Sequence, residues 1–290
     1  MKEGIFPGPP DCSPMRKETL PDAGFGRPIL ASPMAADPTS LAKRDLKKAL
    51  PRRFYKEAKA GEREGVYVLL LDGSTAKTPG GNPIALPSLA GAEAIAEEWS
   101  PQGEWIDWAQ MPIMRIANSA IDGVSRELSA TVDEIAKYAG SDLVCYRAAE
   151  PRRLVEAQAA AGDPILAFAR KKIGAVFICT EGVMFVEQPQ AARTAVTDAV
   201  ACYTQTGAAA PFALAALHVM TTLTASVLIA LGVAHGALSP TEAWRAAHVD
   251  EDFEIEAWGE DAEALERRER QWRIFEAAAR LFQSVQSRCT

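Results

Sequence analysis

The chain has 290 residues, 48% hydrophobic and 24% charged, a balance that supports one large or two modest globular cores. A net charge of -7 and a pI near 5.2 argue against a nucleic-acid or anionic-membrane binder, because neutralising phosphates takes clustered Lys and Arg. The charge is uneven. Residues 1–60 hold 12 Lys and Arg against 7 Asp and Glu, leaving 19 against 31 for the remainder, so a basic arm precedes an acidic body.

Residues 1–45 are rich in Pro and Gly, among them Pro7, Pro9, Pro10, Pro14, Pro21 and Pro28, and carry no apolar period. They read as a flexible leader. The start has neither the basic and apolar regions of a secretory signal nor, with Glu3, Asp11, Glu18 and Asp22, the acidic-poor composition of a mitochondrial presequence. Cytoplasm is therefore the simplest expected address. A short basic helix is expected over Leu41–Leu50, before Pro51 and Arg52.

An α+β region is expected over residues 50–110. Val66–Leu71 is β-rich and meets Asp72-Gly73, a two-residue turn signal, so it pairs with Ser74–Thr78 as a hairpin. A turn at Pro79–Pro83 feeds a short strand at Ile84–Leu86. Pro87-Ser88 then opens a helix over Leu89–Trp99 with Ser88 as N-cap.

Residues 111–290 read as a larger, mainly helical region. Helices are expected at Met111–Val124, Ser129–Tyr138, Ile165–Lys172, Ala191–Thr204, Ala213–Leu231, Thr241–Ala247 and Ala262–Gln286. Ser239-Pro240-Thr241-Glu242 carries a capping box with Pro at the first helical position. Asp163-Pro164 opens its helix in a weaker version of the same way. Val176–Cys179 and Val183–Val186 read as a small hairpin around Glu181-Gly182.

Ala199–Thr241 contains no Lys, Arg, Asp or Glu. Within it Phe212–Ala234 is long enough to cross a hydrocarbon layer of about 30 Å. His218, Thr221, Thr222, Thr224 and Ser226 in mid-span, and the lack of a flanking basic cluster, favour a helix buried on all sides in a core, with no membrane insertion.

No nucleotide loop, zinc-protease or nucleophile-elbow motif occurs. His218, His235 and His248 are not at metal-ligand spacing, and His218 reads as a core imidazole. Cys12, Cys145, Cys179, Cys202 and Cys289 form no C-x-x-C pair, so buried free thiols are expected rather than a disulfide framework or a metal site. No catalytic, cofactor or metal residues are assigned. An enzyme would need a polar pocket, for which Asp142, Tyr146 and Arg147 are the candidates.

Acids alternate with large apolar residues over Asp250–Asp261, around Phe253 and Trp258. That pattern suits either a structural corner or a partner anchor steered by charge. Leu265, Trp272, Phe275, Ala279 and Phe282 then form one apolar stripe that docks the last helix.

The ordered motifs resemble one family. They are the Arg53-Phe54-Tyr55-Lys56 start, Val66–Pro87, the Ala-Ile-Ala-Glu-Glu-Trp run at Ala94–Trp99, Met111–Asp122, Asp142–Ala148, Pro151–Gln158 and Asp250–Ala264. Together they are similar to the ATP synthase assembly factor two, or ATP-twelve, chaperones. The resemblance implies a small α+β domain followed by an all-helical one. It also implies a non-catalytic, cofactor-free chaperone that binds the free alpha subunit of the F-type ATP synthase headpiece until beta joins, and that is itself monomeric when free. It implies a structural role for Trp99, and partner contact at Glu251, Glu256, Trp258 and Glu260. One departure is that Ala161-Gly162 stands before Asp163-Pro164 where the family usually has Trp.

Overall fold

Two tight turns organise the first folded segment. The computed structural model describes residues 50–182 and 184–286. Strands β1 (Ala58–Arg63) and β2 (Val66–Leu71) pair antiparallel across Glu64-Gly65, and β3 (Ser74–Thr75) pairs back onto β2 across Asp72-Gly73. Both central residues of each turn have positive φ, at 52° and 80° and at 48° and 81°, the geometry that matches the right-handed twist of a hairpin. Asp72 also accepts the backbone N–H of Glu57 at 2.8 Å, so one residue turns the hairpin and pins the incoming chain. Strand β4 (Ala85–Leu86) pairs with β2 at Tyr67 and Val68.

Helix α1 (Leu89–Trp99) covers this sheet. Ser88 accepts the Gly91 N–H at 3.1 Å and donates to the Ser284 carbonyl at 2.6 Å, capping one helix while tying its start to the end of another. Trp99 is buried. It is met edge-on by Phe54, Tyr55 and Trp108, and the Tyr55 hydroxyl donates to its carbonyl at 2.6 Å.

The rest is helical: α2 (Pro112–Asp122), α3 (Leu128–Ala136), α4 (Arg152–Phe168), α5 (Gln190–Ala201), α6 (Ala210–Thr224), α7 (Val227–Ala234), α8 (Pro240–Ala247), α9 (Val249–Trp258) and α10 (Ala262–Val285). Helix α6 is the axis, packed by α2, α3, α7 and α10. One continuous hydrophobic cluster runs from Tyr55 and Leu69 through Ile95 and Leu217 to Phe282. The α+β class expected from the sequence is the class observed, with a small antiparallel sheet region ahead of a larger helical one.

Several elements differ from expectation. The first hairpin has an additional strand, β1, which the sequence hides because Ala58–Arg63 lacks β-branched residues. The apolar run is broken: Ala225 sits in the left-handed region at φ 51°, ending α6, and Ser226 caps α7 by accepting the Ile229 N–H at 3.0 Å. Residues 207–224 are long and apolar enough, by length and composition, to cross a membrane, yet 61% of that window is buried inside the protein. It is a core helix, as its lack of a polar face suggests.

Pro164 does not open a helix; it lies inside α4, which starts twelve residues earlier at Arg152. Pro removes one backbone bond there, and the alanine-rich residues 157–161 carry the helix past it. The expected hairpin around Glu181-Gly182 is absent among the described residues. Strand β6 (Thr180–Glu181) instead pairs parallel with β5 (Tyr146–Arg147), while the Gln188 amide bonds both the N–H and the carbonyl of Ile178 in place of a partner strand.

Of the cysteines, Cys145 is buried but Cys179 and Cys202 are exposed thiols, so the expectation of burial fails for two of them. Cys12 and Cys289 lie outside the described residues, as do residues 1–45 and most of the expected Leu41–Leu50 helix. His218 is half-buried on α6 rather than enclosed.

Candidate functional site

The acidic stretch that sequence reasoning left without regular structure is a helix. Asp250, Glu251 and Asp252 occupy the first turn of α9, where carboxylates complement the positive end of the helix dipole. Val249, Phe253 and Ile255 turn inward and are half-buried, and Gly259, at φ 91°, stops the helix. Val249 and Phe253, four residues apart, face the groove beside α4, while Ile255 and Trp258, three apart, face the groove beside α10, so α9 has no single apolar face.

Three side chains from elsewhere contact this helix. Arg153 on α4 pairs with Glu256 at 2.5 Å, and Gln158 donates to Asp250 at 2.6 Å. Arg268 on α10 pairs with Asp252 at 2.5 Å and approaches Glu251 at 3.9 Å. Arg147 anchors the layer beneath: it donates to the Val144 and Gln158 carbonyls at 3.1 and 2.6 Å and pairs with Asp163 at 3.1 Å. A Cβ on Gly162 would lie 2.4 Å from the Arg147 guanidinium, so glycine is the residue that lets Arg147 pack against α4. Sequence reasoning missed Arg153 and Arg268; the signal available was the Pro151–Gln158 motif, whose last residue is the Gln that holds α9.

The outer end of α9 is bare. Trp258 is 89% exposed and borders a groove of about 350 Å³ between α9 and the start of α10, shared with Glu251, Glu254, Asp261 and Arg267. On the opposite side of α9, a second groove of about 620 Å³ is lined by Ala157, Ala161 and Pro164 of α4, with Leu238, Ala246 and Phe253, and rimmed by Arg153 and Glu256. Glu256 and Glu251 are therefore engaged with arginines, while Glu260 follows the helix as an exposed residue beside Trp258.

The residues weighed as an enzyme site do not form one. Asp142 is fully buried and accepts from Ser226 Oγ at 2.7 Å and from the N–H groups of Val144 and Leu228 at 3.1 Å each, holding the start of α7. Burial pushes its carboxyl up to about 6 against the opposing pull of these donors. The cavity beside Tyr146 and Arg147 measures about 30 Å³, room for about one water rather than a substrate. No group of three or more His, Cys, Asp or Glu is placed to hold a metal among the described residues.

The α9 surface is an acidic helix ending in an exposed indole, with a groove on either side. Comparison with known proteins gives the family. Residues 52–170 match the model of the ATP12 chaperone protein family. Among solved structures, a candidate chaperone from Agrobacterium tumefaciens is 41% identical with a TM-score of 0.77, over 87% of this chain and 93% of that one. Atp12 from Paracoccus denitrificans is 35% identical with a TM-score of 0.74, over 81% of this chain and 98% of that one, and a point mutant of the same protein matches at 34% and 0.74. The chain belongs to the ATP12 chaperone family.

Proposed function

We propose that this chaperone acts in ATP synthase assembly, binding the free alpha subunit of the catalytic headpiece through α9 and covering its interface until beta arrives. An unpaired subunit exposes an apolar interface that aggregates unless shielded. The observation that carries the reading is Trp258, an indole left 89% exposed at the end of an acidic helix that Arg153, Gln158 and Arg268 contact. An indole covered at the centre of an interface is worth about 2 kcal/mol, enough to anchor a complex, while Glu251, Glu256 and Glu260 steer a basic client and keep release possible. The protein works without turnover, as a monomer when free, in the bacterial cytoplasm.

The test is affinity capture from cells of the protein's own source. Tagged wild type retains the alpha subunit without beta after a moderate-salt wash. Trp258→Ala and the charge reversals Glu251→Lys, Glu256→Lys and Glu260→Lys lower the recovered alpha subunit at least about tenfold. Trp258→Ala leaves the melting temperature unchanged, because the side chain packs on almost nothing. Undiminished capture by all four variants would remove α9 as the client surface, and no alpha subunit with wild type would remove the client.

A further inference from the structure

Helix α10 carries a second charged face. Arg270, Arg273 and Arg280 recur at three and seven residues and therefore fall on one side of the helix. Together with Arg115 of α2 they line a cavity of about 760 Å³, with Ile113, Ile274 and Ala277 among its apolar lining. Two carboxylates belong to the cavity. Glu276 is exposed, and Glu98 is occupied in capping α2, accepting the N–H groups of Ile113 and Met114 at 2.8 Å each.

The guanidinium groups are available. Arg270 pairs with Glu266 at 3.5 Å, Arg273 with Glu269 and Arg280 with Glu97, and every one of these side chains is more than half exposed. Exposed pairs of this kind contribute about 0–1 kcal/mol each, so an incoming carboxylate replaces the intramolecular one at little cost. Arg115 makes no ion pair among the described residues. Ten residues separate Arg270 from Arg280, about 15 Å along the helix, the reach of four or five residues of extended chain. One phosphate or one carboxylate would engage a single end of that array. A line of cations over an apolar floor instead complements an extended segment whose acids alternate with apolar side chains.

We propose that this groove docks an acidic, extended segment of a protein partner through exchange of these exposed ion pairs and through the unpaired Arg115, forming a contact surface separate from α9. It rests on the chaperone reading only in making that partner the client. A chaperone with two separate contact surfaces grips a client at two sites, which raises the affinity of each contact through the other.

The experiment uses the full chain and a fluorescein-labelled hexapeptide of alternating Glu and Leu, read by anisotropy. Wild type binds it, and Arg115→Ala with Arg273→Ala weakens binding at least about tenfold with an unchanged circular dichroism spectrum, while Trp258→Ala binds as wild type. The chain's net charge of -7 opposes nonspecific binding of an acidic peptide, so binding reports a local site. Absence of binding by wild type, or equal binding by the double arginine variant, overturns the proposal. So does displacement of the peptide by tripolyphosphate beyond that given by chloride at the same ionic strength, which would assign the groove to small oxyanions. Because the peptide assay contains no alpha subunit, its result stands whether or not the client proposed above is captured.

Discussion

Glu98 shows how one carboxylate couples two helices. It lies near the end of α1, half-buried, and its two oxygens cap the start of α2. Burial pushes its carboxyl up to about 7, outweighing the pull of the two N–H groups and of Arg280. A folded carboxyl that holds its proton above its unfolded value binds more protons than the unfolded chain between about pH 4.5 and 7. Its contribution therefore declines as pH rises through that window, by at most about 3 kcal/mol. His235 and His248, lowered chiefly by burial, act in the opposite sense, so the informative quantity is the difference between wild type and Glu98→Gln. Urea midpoints at pH 5 and pH 8 should show the wild-type advantage over the variant shrinking at the higher pH; an advantage that is constant or grows would mean the carboxylate is ionised throughout.

Among the elements, the break between α6 and α7 has the clearest local cause. Ala225 is exposed and takes φ 51°, a conformation that costs a residue with a Cβ about 1 kcal/mol. Ala225→Gly removes that strain without removing packing, and we expect it to raise the unfolding free energy by up to about 1 kcal/mol in urea titration. A loss instead would mean that the added freedom of the unfolded chain exceeds the strain relieved. The break is maintained from a distance: Asp142, more than eighty residues earlier in the chain, accepts from Ser226 and Leu228 and holds α7 at its new angle. Local sequence signals were sufficient where the cap is adjacent, as at Ser88 and at the Ser239–Glu242 capping box. They failed where the stabilising partner is remote, as at Ala225 and at β6, whose partner strand lies more than thirty residues earlier.

At the scale of the whole molecule, the sheet region and the helices share one core. Helix α10 closes on α1 through the Ser88–Ser284 hydrogen bond and the Arg280–Glu97 pair, and Phe282 and Val285 join the same cluster as Leu69 and Ile95. The boundary near residue 110 therefore separates two architectures and not two cores. We expect a single cooperative thermal transition, coincident by circular dichroism and by tryptophan fluorescence, and an isolated segment 50–110 that does not fold. Two resolved transitions would show that the regions hold separately.

Read from the residues alone, the α+β order, the Asp72-Gly73 hairpin, the caps of α1 and α8 and the apolar stripe of α10 were determined, because each depends on neighbours within a turn or two of chain. So was the buried character of the Phe212–Ala234 run, since a helix without a polar face must be covered on all sides. What only the tertiary structure decided was everything set by distant charge and packing. Asp142 became a buried cap of α7 rather than the lining of an open pocket, and the Asp250–Asp261 acids became a helix contacted by Arg153, Gln158 and Arg268. Trp258 was left uncovered while Trp99, which also follows acidic residues, was enclosed by three aromatic rings. The reason is that burial and ion pairing are properties of a neighbourhood, and for these residues the neighbourhood is assembled from segments as much as 103 residues apart.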